Sequence, residues 1–202
     1  MIRLFKGRVC VSVFALMLVL IILFSVDSVF FIVAILGALL HEVAHLIAMK
    51  LCGAKIIRIS IYPFGADIKA DTLGLTYKEE IAVALAGPLM SLFASAVAFL
   101  FLHFGTYIYV LAFAVSNFLF FAVNILPVRG LDGGRVLFSA LMIKFDVADA
   151  YRIYDYISTF AFGLLCFLSL FLLWLSGYNL SLLFICCYLF ISEYARQKLC
   201  YG

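Results

Sequence analysis

The sequence of 202 residues is 68% hydrophobic and 12% charged, with a formal net charge of +3. A surface so poor in charge could not be solvated, which excludes a soluble globular domain and points to an integral membrane protein. The small positive balance needs no nucleic-acid partner to explain it.

Apolar runs at 9–26, 29–49, 81–102, 106–126, 157–175 and 180–191 predict about six transmembrane helices, the last one short. With the N-terminus in the cytosol, all fourteen Lys and Arg fall on the cytosolic side or at cytosolic span ends. Both termini are then expected in the cytosol. Arg3, Lys6 and Arg8 before the first run resemble a signal peptide, but the run is long for one and Ser25-Val26-Asp27 is a poor cleavage site, so a retained span is expected. The six cysteines lie in spans or on the cytosolic side, with no C-x-x-C pair, and predict neither a disulfide framework nor a cysteine zinc site.

The second run carries His41-Glu42-Val43-Ala44-His45. A charge inside lipid costs at least roughly 2.5 to 3.5 kcal/mol, so Glu42 needs a compensating role. Residues four apart share a helix face, so His41 and His45 can present ring nitrogens to one metal ion. Glu42 is adjacent, close enough to take a proton from an attacking water without being a ligand. This is the arrangement of a zinc hydrolase. Entering from outside, the helix would place His41 about 13 Å from its cytosolic end. Gly37 and Ala38 would allow close approach of a neighbouring helix.

In 55–62, Ile57, Ile59 and Ile61 alternate with Arg58, Ser60 and Tyr62; after Pro63-Phe64-Gly65, Ala66, Ile68 and Ala70 alternate with Asp67, Lys69 and Asp71. Two period-two runs about a Pro/Gly turn predict a β-hairpin at the membrane surface. It serves either as a linker covering helix ends or as a strand edge that holds an extended substrate, with Phe64 and Gly65 as candidate contacts. In the third span, Ala86-Gly87-Pro88 reads as a packing segment, and His103 as an interfacial residue at the outer end.

The fourth span holds Asn117 and Asn124 and ends in Asn124-Ile-Leu-Pro127-Val-Arg-Gly-Leu-Asp132-Gly-Gly134. Pro127 breaks the helix, and Gly130, Gly133 and Gly134 permit unusual backbone angles. A catalytic zinc commonly has three protein ligands and an open position. The other cytosolic carboxylates look solvated, which leaves Asp132 as the candidate third ligand, or alternatively a helix cap. Asn124 is either a hydrogen-bond donor to substrate or an interhelical packing contact.

Together these motifs resemble the site-2 protease family of intramembrane metalloproteases, and most closely its stage IV sporulation protein FB group. The resemblance rests on His41 to His45, Tyr62-Pro-Phe-Gly65, Glu79-Glu80 leading to Ala86-Gly-Pro88, and Asn124 through Gly134. It implies one zinc ion held by His41, His45 and Asp132, Glu42 as general base, and cleavage of membrane-anchored substrates within or near the bilayer. For the sporulation group it implies a sigma-factor precursor as substrate, and regulatory membrane proteins as further partners. Ala66 and Ser91 depart from the family pattern, where Gly and Asn are frequent. Ala48 and Leu51 replace the Gly and third His of soluble metzincins, so the third ligand must come from a distant segment. The expected organisation is a single membrane-embedded domain over 1–202, with a core at 29–143, flanking spans at 9–26, 157–175 and 180–191, and no CBS or PDZ domain. A metal transporter would need an ion path continuing to the outer face, where the central spans offer little beyond His103. An inactive scaffold is disfavoured by the intact Glu42.

Overall fold

In the computed structural model the described residues are 2–4, 9–11, 28–62, 65–71, 74–105, 107–176, 186–187 and 190. In chain order the elements are strands β1 (Ile2–Leu4) and β2 (Val9–Val11), helix α1 (Ser28–Leu51), strands β3 (Lys55–Tyr62) and β4 (Gly65–Asp71), and helices α2 (Tyr77–Phe101), α3 (Ile108–Asn124), α4 (Asp132–Lys144) and α5 (Val147–Ser176). A 3₁₀ turn at Leu102–Phe104 follows α2. Three described helical stretches are long and apolar enough to cross a membrane: Ile32–Leu51, Tyr77–Phe104 and Val147–Leu175; Ile108–Asn124 is apolar but shorter. The chain divides into two compact units, Met1–Val123 and Asn124–Gly202.

In the first unit, α1 and α2 pack through small residues. The buried face of α1 carries Gly37, His41, Ala44, His45 and Met49, and that of α2 carries Ala84, Gly87, Ser91, Ser95 and Ala98. Lipid is as apolar as leucine, so helices in a bilayer associate by close van der Waals approach, which small side chains permit. The large residues Leu36, Leu39, Val43 and Ile47 point outward from α1. The neighbour that Gly37 admits is a side chain of α3: a Cβ there would lie 2.7 Å from Asn117 Nδ2. Asn117 is fully buried, and its Nδ2 donates to the Phe113 carbonyl of its own helix at 2.9 Å. Ser95 Oγ joins α2 to α3 by donating to the Ala114 carbonyl at 2.8 Å.

Helix α1 ends in a Schellman turn, with Gly53 N–H donating to Lys50 O, Ala54 N–H to Met49 O, and Gly53 at φ 78°. Helix α2 begins with a capping box, in which Thr76 Oγ1 accepts from Glu79 N–H and the Glu79 carboxylate accepts from Thr76 N–H. Between the two helices, β3 and β4 pair antiparallel with Tyr62 opposite Gly65. The sheet is wider than a hairpin, because β2 adds parallel to β3 and β1 antiparallel to β2. Residues 9–11, expected to open the first span, are therefore a strand: their backbone completes the ladder on the otherwise open edge of β3. The remainder of that expected span, the turn residues Pro63 and Phe64, and most of 180–191 lie outside the described residues.

In the second unit, α4 and α5 pack together, with Phe138 of α4 meeting Tyr151 and Tyr154 of α5 edge-on at 5.1 and 5.2 Å between ring centroids. Ala150, Tyr154, Ser158, Leu165 and Ser169 form the buried stripe of α5.

Candidate metal centre

The two buried histidines of the α1–α2 interface follow from helix periodicity, which stacks Gly37, His41 and His45 one turn apart. His41 and His45 are 6% and 5% exposed. The Nδ1 of His45 lies 2.8 Å from the Val83 carbonyl oxygen. A carbonyl only accepts, so this nitrogen carries the proton and Nε2 of the neutral ring offers a lone pair. The Nδ1 of His41 lies 2.9 Å from Ser91 Oγ, and the tautomer that a metal requires has Nδ1–H donating to that hydroxyl. The two Nε2 atoms are then left facing each other at 3.2 Å. Two nitrogens on one tetrahedral zinc, each at about 2.0 to 2.1 Å, stand about 3.3 Å apart. The pair thus fits a single zinc ion, and a cation between the rings would relieve the repulsion of the two lone pairs.

The space beside the rings is kept open by Gly87. A Cβ at that position would lie 2.6 Å from His41 Nε2 and closer still to His45 Nε2, distances that no side chain tolerates. Ala86-Gly87-Pro88, read from the sequence as a packing segment, therefore has a second consequence: its glycine is the wall of the ligand cradle. The sequence marks Ser91 only as a departure from the family pattern, with no sign of its contact with His41, and gives no sign of the Val83 carbonyl's role. The only available signal was that Val83, Gly87 and Ser91 recur every four residues, on the α2 face that meets α1. Glu42 is half-buried on α1, next to His41.

Asp132 sits in the second unit, where it is the first residue of α4, preceded by Leu131 as N-cap with no side-chain cap bond. The alternative reading of Asp132 as a cap is thus not what the backbone adopts. A carboxylate in the first turn is favoured there by the helix dipole. The loop before it is tightly folded: Val128 N–H donates to Leu126 O and Leu131 N–H to Val128 O. Gly130 has φ 96°, a left-handed conformation that costs other residues about 1 to 2 kcal/mol. Any Cβ on Gly133 or Gly134 would run into the carbonyls of Ile125 or Val128. Asn124 closes α3, and Gly65 opens β4.

Residues 29–107 match the family model described as Peptidase family M50. Over that stretch the chain is similar to peptidase family M50. The family match covers both histidines, Glu42, Gly87 and Ser91. Two curated relatives extend past it. Stage IV sporulation protein FB of Bacillus subtilis is 30% identical over 125 residues, 59% of this chain and 42% of that protein. A zinc metalloprotease of Methanocaldococcus jannaschii is 28% identical over 151 residues, 69% of this chain and 44% of that protein. The chain spans less than half the length of either relative. The solved site-2 protease of Methanocaldococcus jannaschii shares the fold, with a TM-score of 0.68 at 23% identity over 94% of this chain and 92% of that one.

Proposed function

We propose that this chain is an intramembrane zinc metalloendopeptidase that cleaves a membrane-anchored protein within or near the cytosolic leaflet. His41, His45 and Asp132 hold one Zn²⁺ and Glu42 is the general base. The observation that carries the reading is the pair of buried Nε2 atoms 3.2 Å apart, each ring fixed through Nδ1 by a partner on α2. The match of residues 29–107 to a peptidase family model and a relative named as a zinc metalloprotease support it.

A zinc ion so held would supply a water of lowered pKa and polarise the scissile carbonyl. Glu42, beside the ligands but not one of them, takes the proton of the attacking water and returns it to the leaving amine. A helical substrate hides its peptide groups, so the segment must be extended before attack. The β3–β4 ladder offers main-chain donors and acceptors along its β4 edge for that purpose, near Gly65 and the preceding Phe64. Asn124 serves as a further hydrogen-bond donor to substrate or oxyanion. The topology that suits this chemistry is six spans with both termini in the cytosol, which gives water a short path to the site. In the sporulation branch that the resemblance suggests, the substrate is a sigma-factor precursor and neighbouring membrane proteins regulate access.

The deciding experiment co-expresses wild type and Glu42→Gln with candidate membrane-anchored substrates, follows cleavage by gel, and measures zinc in both purified proteins. Cleavage should fall by about 10² to 10⁴ while zinc stays bound. Unchanged cleavage by Glu42→Gln rules out the mechanism.

A further inference from the structure

Ser158 is a hydroxyl on the 30-residue, largely apolar α5, and it is 4% exposed. Its Oγ accepts from the backbone N–H of Arg129 at 2.7 Å. The Arg129 side chain continues onto the same patch of α5: its guanidinium pairs with Asp155 and lies 5.2 Å from the centroid of the Tyr154 ring. Positions 154, 155 and 158 are neighbours on one helical face. The Arg129–Asp155 pair is partly exposed, and solvent-screened pairs of this kind contribute little. The bond to the buried Ser158 hydroxyl is therefore the firmer tether.

Two residues, Gly130 and Leu131, separate Arg129 from Asp132, and neither has slack. Gly130 is fixed at φ 96°, the Leu131 N–H is bonded to Val128 O, and Gly133 and Gly134 are wedged against the carbonyls of the same loop. On the other side of Asp132, Phe138 rests on Tyr151 and Tyr154 of α5. Helix α5 thus grips the chain both before and after Asp132. We infer that Ser158, through its bond to the Arg129 N–H, is a positioning residue that fixes the Asp132 carboxylate where a metal needs it. This rests on the reading of Asp132 as a ligand.

The test uses the full chain in detergent, with zinc affinity read by competition against a chromogenic chelator and the visible spectrum of the cobalt(II) form read at saturation. Ser158→Ala should weaken zinc binding by about 10- to 100-fold, the usual effect of losing a residue that orients a ligand, and should alter the cobalt spectrum. Ser158→Cys, nearly isosteric with a weak acceptor, should fall between it and wild type. Ser169→Ala removes an equally buried hydroxyl of α5 whose bond is to Cys166 O of the same helix, and should leave both readouts unchanged. Asp132→Ala should weaken zinc binding at least as much as Ser158→Ala. If Asp132→Ala loses affinity while Ser158→Ala and Ser158→Cys keep it, the positioning role is overturned and the ligand assignment stands. If Asp132→Ala binds zinc as wild type does, the ligand assignment falls, and the positioning role with it.

Discussion

Replacing Gly87 by alanine adds one methyl group to α2 and nothing to α1, yet it should abolish tight zinc binding. The new Cβ would stand 2.6 Å from His41 Nε2 and closer to His45 Nε2, whereas ordinary contact begins at 3.4 Å. Relief therefore requires the imidazoles to retreat by on the order of 1 Å, or α1 and α2 to part by a similar amount; overpacking of this kind costs about 1 to 3 kcal/mol. His45 cannot swing aside without stretching its 2.8 Å bond to Val83 O, and His41 is held likewise at 2.9 Å by Ser91. Metal–ligand distances tolerate only about 0.2 Å, several times less than the displacement demanded. Zinc affinity, measured by chelator competition on the purified protein, should drop by at least about 100-fold, and cleavage should be lost with it. The control is Gly163→Ala on α5, where an added Cβ meets nothing within 4 Å and affinity should not change. Wild-type zinc affinity in Gly87→Ala would refute the placing of the metal against this face of α2.

Ser91→Ala should weaken zinc binding by about 10- to 100-fold, because the proton on His41 Nδ1 loses its acceptor and the tautomer with a free Nε2 lone pair is no longer favoured. Ser95→Ala, one turn along, cuts a bond to Ala114 O that involves no histidine, and should leave zinc affinity as it is; equal losses in both would mean that packing alone is being measured. For the strand edge, cysteines introduced at Ser60 or Ala66 should crosslink to a substrate trapped on Glu42→Gln, and crosslinks found solely from the outer turns would count against the hairpin as a binding element.

How much of this was legible in advance depends on the distance along the chain over which each feature is decided. His41 and His45 share a face because a helix turns once every 3.6 residues, and Val29 to Met49 is a helix because a run of that length and apolarity has no better conformation in lipid. The break at Pro127 and the left-handed Gly130 are equally local, and the alternation in 55–71 lies where β3 and β4 pair antiparallel. The parallel addition of β2 to β3 was not legible, since it joins residues some fifty positions apart and leaves no periodic trace in either. Nor was the choice of partners for the two Nδ1 atoms. Ser91 and the Val83 carbonyl are ordinary groups on an apolar helix, and become histidine anchors only because small residues let α2 approach α1 closely enough for a bond of 2.8 or 2.9 Å. The same holds for Ser158 and Arg129, 29 positions apart. Sequence sets what a segment can offer, through torsional preference and the period of its side chains; which distant group meets that offer is settled when the chain closes, because a hydrogen bond exists only within a few tenths of an ångström.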